Sequence, residues 1–308
     1  MRLGIVDLDT SHPQNWIPIE RELGHVVAGV WDSGTIHPAG YAQSFAAERG
    51  VPNVYPSLDT MLPDVDCVII HGCNWDTHVE KARPFVEAGK AVLLDKPLAG
   101  CMRDLNQIQA WADGGARITG GSSLRFCAET AAWLAQPEAE RGRPHTVFCG
   151  CGVDEFNYGI HAYAMLSGIM GQGIERVRHL GFAMQRRIEV TWKDGRQALL
   201  AIGRTDSWLP FHATVVTERS VFQYQADPSA LYRALLNAVL PYLAGVTDVP
   251  PVPMHALMEP ELCALAARRS WMNGDRYVLL DEMKADEPGY DGAAFAAEYR
   301  KLRYPDQK

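Results

Sequence analysis

Lys96 stands where an apolar run, Ala91-Val92-Leu93-Leu94, gives way to Asp95 and Pro97. A second apolar run, Val68-Ile69-Ile70, ends at His71, and between the two lie Asn74, His78 and a stretch closed by Gly89. Strand, loop, helix and strand in that order deliver the lysine to the carboxyl end of a buried strand, where open parallel sheets bind ligands. An ammonium held there polarises a hydroxyl or carbonyl oxygen as a point charge, or exchanges a proton if burial lowers its pKa. The plainer role is a solvated lysine before a proline, paired with Asp95. Its expected place at the crevice favours the chemical role.

The elements that must hold Lys96 follow from the apolar pattern. Leu3–Val6, Val26–Val30, Val68–His71 and Val92–Leu94 are short runs without polar alternation, as suits parallel strands buried on both faces. Residues 14–23, 39–49, 77–88 and 102–112 carry helical periodicity and end near glycines 24, 50, 89 and 114. Pro18 and Pro84 fall inside two of these helices, where a late start or a bend is expected. Alternating strands and helices with right-handed crossovers make a doubly wound sheet.

The second half reads differently. A strand over 146–151 and a helix over 158–170 precede strands at 177–184, 187–192, 198–204, 212–217 and 220–224, with Lys193-Asp194-Gly195 as a hairpin turn. Helices over 230–244 and 255–272 follow, separated by prolines 250, 251 and 253. The fold class is therefore α/β: an amino-terminal Rossmann-like parallel sheet over 1–120 and a carboxy-terminal α+β domain over 121–308 with an open, mostly antiparallel sheet.

The segment from Val65 to Ala99 resembles the glucose–fructose oxidoreductase/inositol dehydrogenase/rhizopine-catabolism (Gfo/Idh/MocA) family of nicotinamide-dependent oxidoreductases. It keeps that family's Asn74, His78, Ala88-Gly89-Lys90 and Lys96-Pro97, with Asp95 in place of a glutamate. Asn157-Tyr158-Gly159-Ile160-His161 resembles the family's Asp-x-Gly-x-His pattern on the substrate side. Positions i and i+4 of a helix share a face, so Asn157 and His161 are expected to address one substrate. The resemblance implies a substrate- and proton-handling role for Lys96 and His161. An imidazole suits acid–base work near neutrality, whereas Asn157 can orient a hydroxyl but carries no proton. Tyr158 is a weaker substrate contact, and the family's acid three residues after the histidine is Ala164 here. Arg125, in a segment similar to the family's Asn-x-Arg-Phe, is expected to contact the substrate or to form a salt bridge. The implied reaction moves a hydride to or from a secondary alcohol of a sugar, cyclitol or similar polyol.

The amino terminus departs from the cofactor fingerprint. Aligned on Gly4, the three glycines of Gly-x-Gly-x-x-Gly should stand at 7, 9 and 12, where this chain has Asp7, Asp9 and His12. Thr10, Ser11 and His12 offset the loss as donors to a phosphate at the start of the next helix. Asp9 belongs to that loop. Asp32, about 20 residues beyond, is placed to bind ribose hydroxyls, and with no arginine close behind it NAD is expected over NADP. Asn74, His78 and Lys96 complete the expected cofactor contacts. The missing glycines, with Asn157 and Ala164, support an alternative: a family-derived binding or scaffold protein without free cofactor exchange, or a lyase-type enzyme using Lys96 and His161. Asp7, Asp9, His12, His71, Asp76 and His78 should gather near one sheet edge, but their spacing matches no compact ligand motif and no metal is expected.

Composition narrows the partners. A net charge of −8 argues against nucleic acid, which needs a basic face, and no apolar run reaches the length of a membrane span. Seven cysteines, an odd number, suit reduced thiols in a cytoplasm, and Cys149-Gly150-Cys151 reads as two strand thiols on one face. A homodimer or homotetramer through the carboxy-terminal sheet is what the resemblance implies.

Overall fold

Five parallel strands carry the amino-terminal sheet of the computed structural model, which describes residues 1–305: β1 Arg2–Val6, β2 Val26–Trp31, β3 Cys67–Ile70, β4 Ala91–Leu94 and β5 Ile118–Gly120. Their order is β2-β1-β3-β4-β5, and every neighbouring pair is parallel. The chain leaves β1 for β2 on one side and returns to β3 on the other, so the direction of winding reverses between β1 and β3. That switch point opens a crevice at the carboxyl ends of the strands. The crossovers are the helices His12–Glu22, Tyr41–Arg49, His78–Glu87 and Met102–Asp113. All residues of β3, β4 and β5 are buried, as the unbroken apolar runs of β3 and β4 require. At Gly120 a Cβ would stand 1.8 Å from the Leu94 carbonyl oxygen, with φ at 152°, so only glycine lets β5 close on β4 there.

Two compact units are present. The first comprises residues 1–120 with 236–254 and the described residues from 291 onward, and the second 121–235 with 255–290. The expected division at 120 assigned all of 121–308 to one domain, whereas two later segments pack with the first unit. One of them is the helix Gly292–Arg303, absent from the sequence reading because its alanine-rich face shows no clear apolar stripe. Its start is bonded by Asp76, whose Oδ2 accepts from Gly292 and Ala293 N–H (2.9 and 3.1 Å). Phe295 packs on Trp75, and Ala296 joins Ile36 and Cys73 in a small core.

The second unit is built on a seven-stranded sheet: β6 Pro144–Gly152, β7 Ile174–Ala183, β8 Gln185–Trp192, β9 Gln197–Gly203, β10 His212–Thr217, β11 Val221–Gln225 and β12 Val278–Leu279. The order is β11-β10-β6-β9-β8-β7-β12, antiparallel except for the parallel pair β6–β9. The turn at 193–195 joins β8 to β9 as expected. Met184, expected inside a strand, instead has φ 65° between β7 and β8. The helix expected over 255–272 is split into Met254–Leu257 and Glu259–Met272, with Pro260 in the first turn of the second piece. Helices Gly159–Met170 and Glu259–Met272 pack against each other and against β6 and β7, respectively. All seven cysteines are free, and Cys149 and Cys151 are both buried in β6.

Candidate active site

In the first unit, the site is made by the carboxyl ends of β1, β3 and β4, three strands adjacent in the sheet. Asp7 follows β1 directly with φ 63°, so the left-handed turn that a glycine normally makes is kept by an aspartate, a residue that tolerates it. Its carboxylate points inward and is wholly buried. Oδ2 lies 2.5 Å from Lys81 Nζ, and Oδ1 accepts from Ser33 N–H at 3.1 Å. A Cβ on Gly72 would come within 2.7 Å of that Oδ2, so the bare backbone of residue 72 makes room for the ion pair.

Asp9 is also wholly buried; its Oδ2 accepts from Cys73 N–H at 2.9 Å, while its Oδ1 has no partner. Burial, and then the charge of Asp7, push its carboxyl up to about 7. Asp32, just after β2, accepts from Leu8 N–H at 3.3 Å, and burial followed by Asp7 raises it too. One oxygen from each of Asp7, Asp9 and Asp32 lies within 4.8 Å of the others.

Beside this acidic group, His12 Nδ1 and His71 Nδ1 converge on a single oxygen, Asp95 Oδ2, at 2.5 and 2.8 Å. The other carboxylate oxygen accepts from Lys96 N–H at 2.8 Å. Burial alone would raise the Asp95 carboxyl, but the two histidines hold it well below the usual range. Burial lowers His71 despite its bond to Asp95. Trp16 stacks on His12 at 5.5 Å and meets His71 edge-on at 4.8 Å. Lys96 is buried at the end of β4.

The expected six-residue gathering therefore divides. Asp7 and Asp9 join Asp32, and His12 and His71 join Asp95. Asp76 bonds the start of the carboxy-terminal helix, and His78 is buried between the carbonyls of Gly72 (2.7 Å) and Leu98 (3.2 Å). His78 is thus committed to backbone, as is Asn74, whose Oδ1 accepts from Asp76 N–H at the head of a short turn (3.3 Å). His12, expected at a phosphate, has its Nδ1 on Asp95 instead.

A dinucleotide's phosphates nonetheless fit the start of the helix His12–Glu22. The loop carboxylates face inward, the turn at residue 7 is preserved, and the exposed Ser11 makes no capping bond of its own. Thr10 Oγ1 accepts from His12 N–H at 3.2 Å and steadies the turn. Asp32, just after β2, keeps part of its side chain exposed.

In the second unit, His161 lies in the buried helix Gly159–Met170, with Nδ1 2.6 Å from Ser122 Oγ. Ser122 Oγ also accepts from Leu124 N–H, which fixes the hydroxyl and so the imidazole. The rings of Tyr158 and Phe211 meet His161 edge-on at 5.5 and 5.1 Å. Asn157 is buried but precedes the helix, so its relation to His161 is set by a turn in which Asp154 Oδ1 accepts from Phe156 and Tyr158 N–H, not by a shared helical face. Arg125 donates to the Ala256 carbonyl at 3.3 Å, and burial lowers its pKa. Sequence reasoning missed Lys81 and Ser122. Lys81 had a signal: it stands three residues after His78 on the buried side of its helix, with Phe85.

Residues 7–118 match the family model described as an oxidoreductase family with an NAD-binding Rossmann fold. A search of the curated proteins gives no match. Among solved structures, the chain is similar to scyllo-inositol dehydrogenase from Lactobacillus casei with bound NAD(H) and scyllo-inositol. The identity is 14%, 92% of this chain and 99% of that one are covered, and the TM-score is 0.76. It is also similar to UDP-N-acetylglucosamine 3-dehydrogenase from Acidithiobacillus ferrooxidans, at 19% identity over 88% and 97% of the two chains with a TM-score of 0.73. At such identities the likeness shows the fold. No helix among the described residues is long and apolar enough to cross a membrane. Over residues 7–118 the chain thus matches the Gfo/Idh/MocA oxidoreductase family model, and over nine-tenths of its length it shares the fold of the inositol dehydrogenase structure.

Proposed function

We propose that this protein is an NAD-dependent dehydrogenase or reductase acting on a secondary alcohol or ketone of a sugar, cyclitol or similar polyol. The observation that carries the reading is Lys96, buried at the carboxyl end of β4 within the segment that matches the family. The substrates named for the similar structures, an inositol and a sugar nucleotide, support the polyol class. When bound, the nicotinamide supplies the hydride acceptor or donor. The chain's own residues do the rest. Thr10, Ser11 and the helix start hold phosphate, and Asp32 holds the ribose. Lys96 polarises the substrate oxygen, and His161 takes its proton during oxidation and returns it during reduction. Asn157 orients a neighbouring hydroxyl, with Tyr158 and Arg125 as further substrate contacts. The half-exposed face of the second unit's sheet serves a homodimer or homotetramer, in a cytoplasmic setting.

The test is turnover of a panel of inositols, aldoses and sugar nucleotides with NAD⁺, followed by absorbance of the reduced cofactor. Turnover should appear with at least one polyol and be abolished in Lys96→Met with cofactor binding kept, since the lost contact acts on the transition state. Activity of Lys96→Met within about threefold of the parent removes Lys96 from the mechanism, because a lost transition-state contact costs far more. The absence of fingerprint glycines favours a second reading, a lyase-type or binding protein that uses Lys96 and His161 without exchanging cofactor.

A further inference from the structure

We propose that His12, His71 and Asp95 form a binding site for one divalent transition-metal ion of the zinc or manganese class. One donor atom from each lies within 4.8 Å of the other two. Two imidazoles and one carboxylate are the donor set of many metal centres that keep a coordination position open for water or substrate. The sequence hides this set, because 58 and 23 residues separate its members and no local ligand motif results.

Topology brings the three residues together. His12 opens the helix after β1, His71 follows β3 and Asp95 follows β4, and these three strands are neighbours in the sheet. The site thus sits on rigid strand ends at the edge where such sheets bind ligands. Each donor is also held by a second contact. Asp95 is fixed through its other oxygen by Lys96 N–H, His12 lies flat on Trp16, and His71 stands edge-on to the same ring. The His71 Nε2 atom is buried without a partner, so Nδ1 alone ties that ring into the cluster. Ring packing on Trp16 and the Lys96 N–H thus orient the donors before any ion arrives.

The present spacing is that of hydrogen bonds, with both imidazole nitrogens on one carboxylate oxygen. Around a tetrahedral ion at about 2.0–2.2 Å, donors stand about 3.4 Å apart, so each imidazole needs to draw back by less than about 1 Å. His12 keeps 12% of its side chain exposed and gives an ion a way in, while His71 and Asp95 are closed off. The electrostatic setting favours a cation. Asp7, Asp9 and Asp32 lie close together, with Lys81 bonded to Asp7, and the charge of Asp7 reaches Asp9, Asp32 and His71. Asp9 Oδ1 remains without a partner in that acidic group.

Cobalt(II) is the probe, because its visible bands report coordination. The full-length protein, freed of metal by dialysis against a chelator, is titrated with Co²⁺ and then with Zn²⁺. One equivalent should bind, with visible absorption typical of a low-coordinate nitrogen and oxygen site, no thiolate charge-transfer band, and displacement by Zn²⁺. His12→Gln and Asp95→Asn should each weaken binding at least tenfold, while His145→Gln, at an exposed histidine of the second unit, should not. Absence of one-to-one binding by the parent overturns the site, whatever the variants do. So does a thiolate band, or binding that survives undiminished in whichever of the two site variants keeps the parent's circular dichroism. This readout needs no nicotinamide and no substrate, so its failure is separate from failure of the dehydrogenase reading.

Discussion

Lys81 and Asp7 show how a single ion pair lets this chain dispense with a glycine. The left-handed turn after β1 is occupied by an aspartate whose carboxylate is sealed beneath the loop against an ammonium from the helix His78–Glu87. Removing one partner of a buried pair leaves the other charge stranded, at about 3–5 kcal/mol. Lys81→Met should therefore destabilise the protein by that order in urea unfolding, and a loss below about 1 kcal/mol would show that Asp7 does not depend on it. His161 is the other residue whose surroundings can be tested directly. His161→Asn should lower turnover by roughly 10²–10⁴, the usual yield of acid–base catalysis, with cofactor affinity unchanged. A rate close to the parent's would move the proton to another group. The residues themselves were legible, since Lys96, His161 and Asp32 stand at strand ends and helix starts that the pattern locates. The long-range pairs Lys81–Asp7 and His12–Asp95 were not, because they span 74 and 83 positions and no local period reports such pairings.

The elements of the parallel sheet were legible because strands buried on both faces leave continuous apolar runs, and glycines mark where the helices stop. The short β5 and the two-residue β12 were not, since three or fewer residues show no period. The helix His12–Glu22 carries an unusual feature that its pattern conceals. Glu20 is wholly buried, neither carboxylate oxygen has a partner, and burial pushes it up to about 8. A carboxyl raised in the folded state binds its proton more tightly there than in the unfolded chain. Its contribution is full below about pH 4.5 and is lost as pH rises through the folded value. Histidines lowered by burial, such as His37 at about 4, act in the opposite sense, but their effect is complete by about pH 7. Between pH 7 and 8 Glu20 dominates and should lower stability by about 1 kcal/mol, while Asp9, raised to about 7, adds a smaller loss of the same sign. Glu20→Gln, which mimics the protonated acid, should flatten that slope in denaturant titrations. An unchanged slope would mean that Glu20 is not the group responsible.

At the scale of the whole molecule, the change from alternating strands and helices to successive strands was visible in the sequence, and both sheets follow it. The assignment of residues 236–254 and of the helix Gly292–Arg303 to the first unit was not visible, because membership depends on packing partners far away in the chain. The cofactor question belongs at this scale too, since the sheet, the switch point and the preserved turn support a dinucleotide whose glycine fingerprint is gone. Titration of the purified protein with NADH and NADPH, read by reduced-cofactor fluorescence, bears on it most directly. Saturable NADH binding is expected, with NADPH at least tenfold weaker because the Asp32 carboxylate repels a 2′-phosphate. Saturable binding of neither cofactor would contradict the dehydrogenase reading.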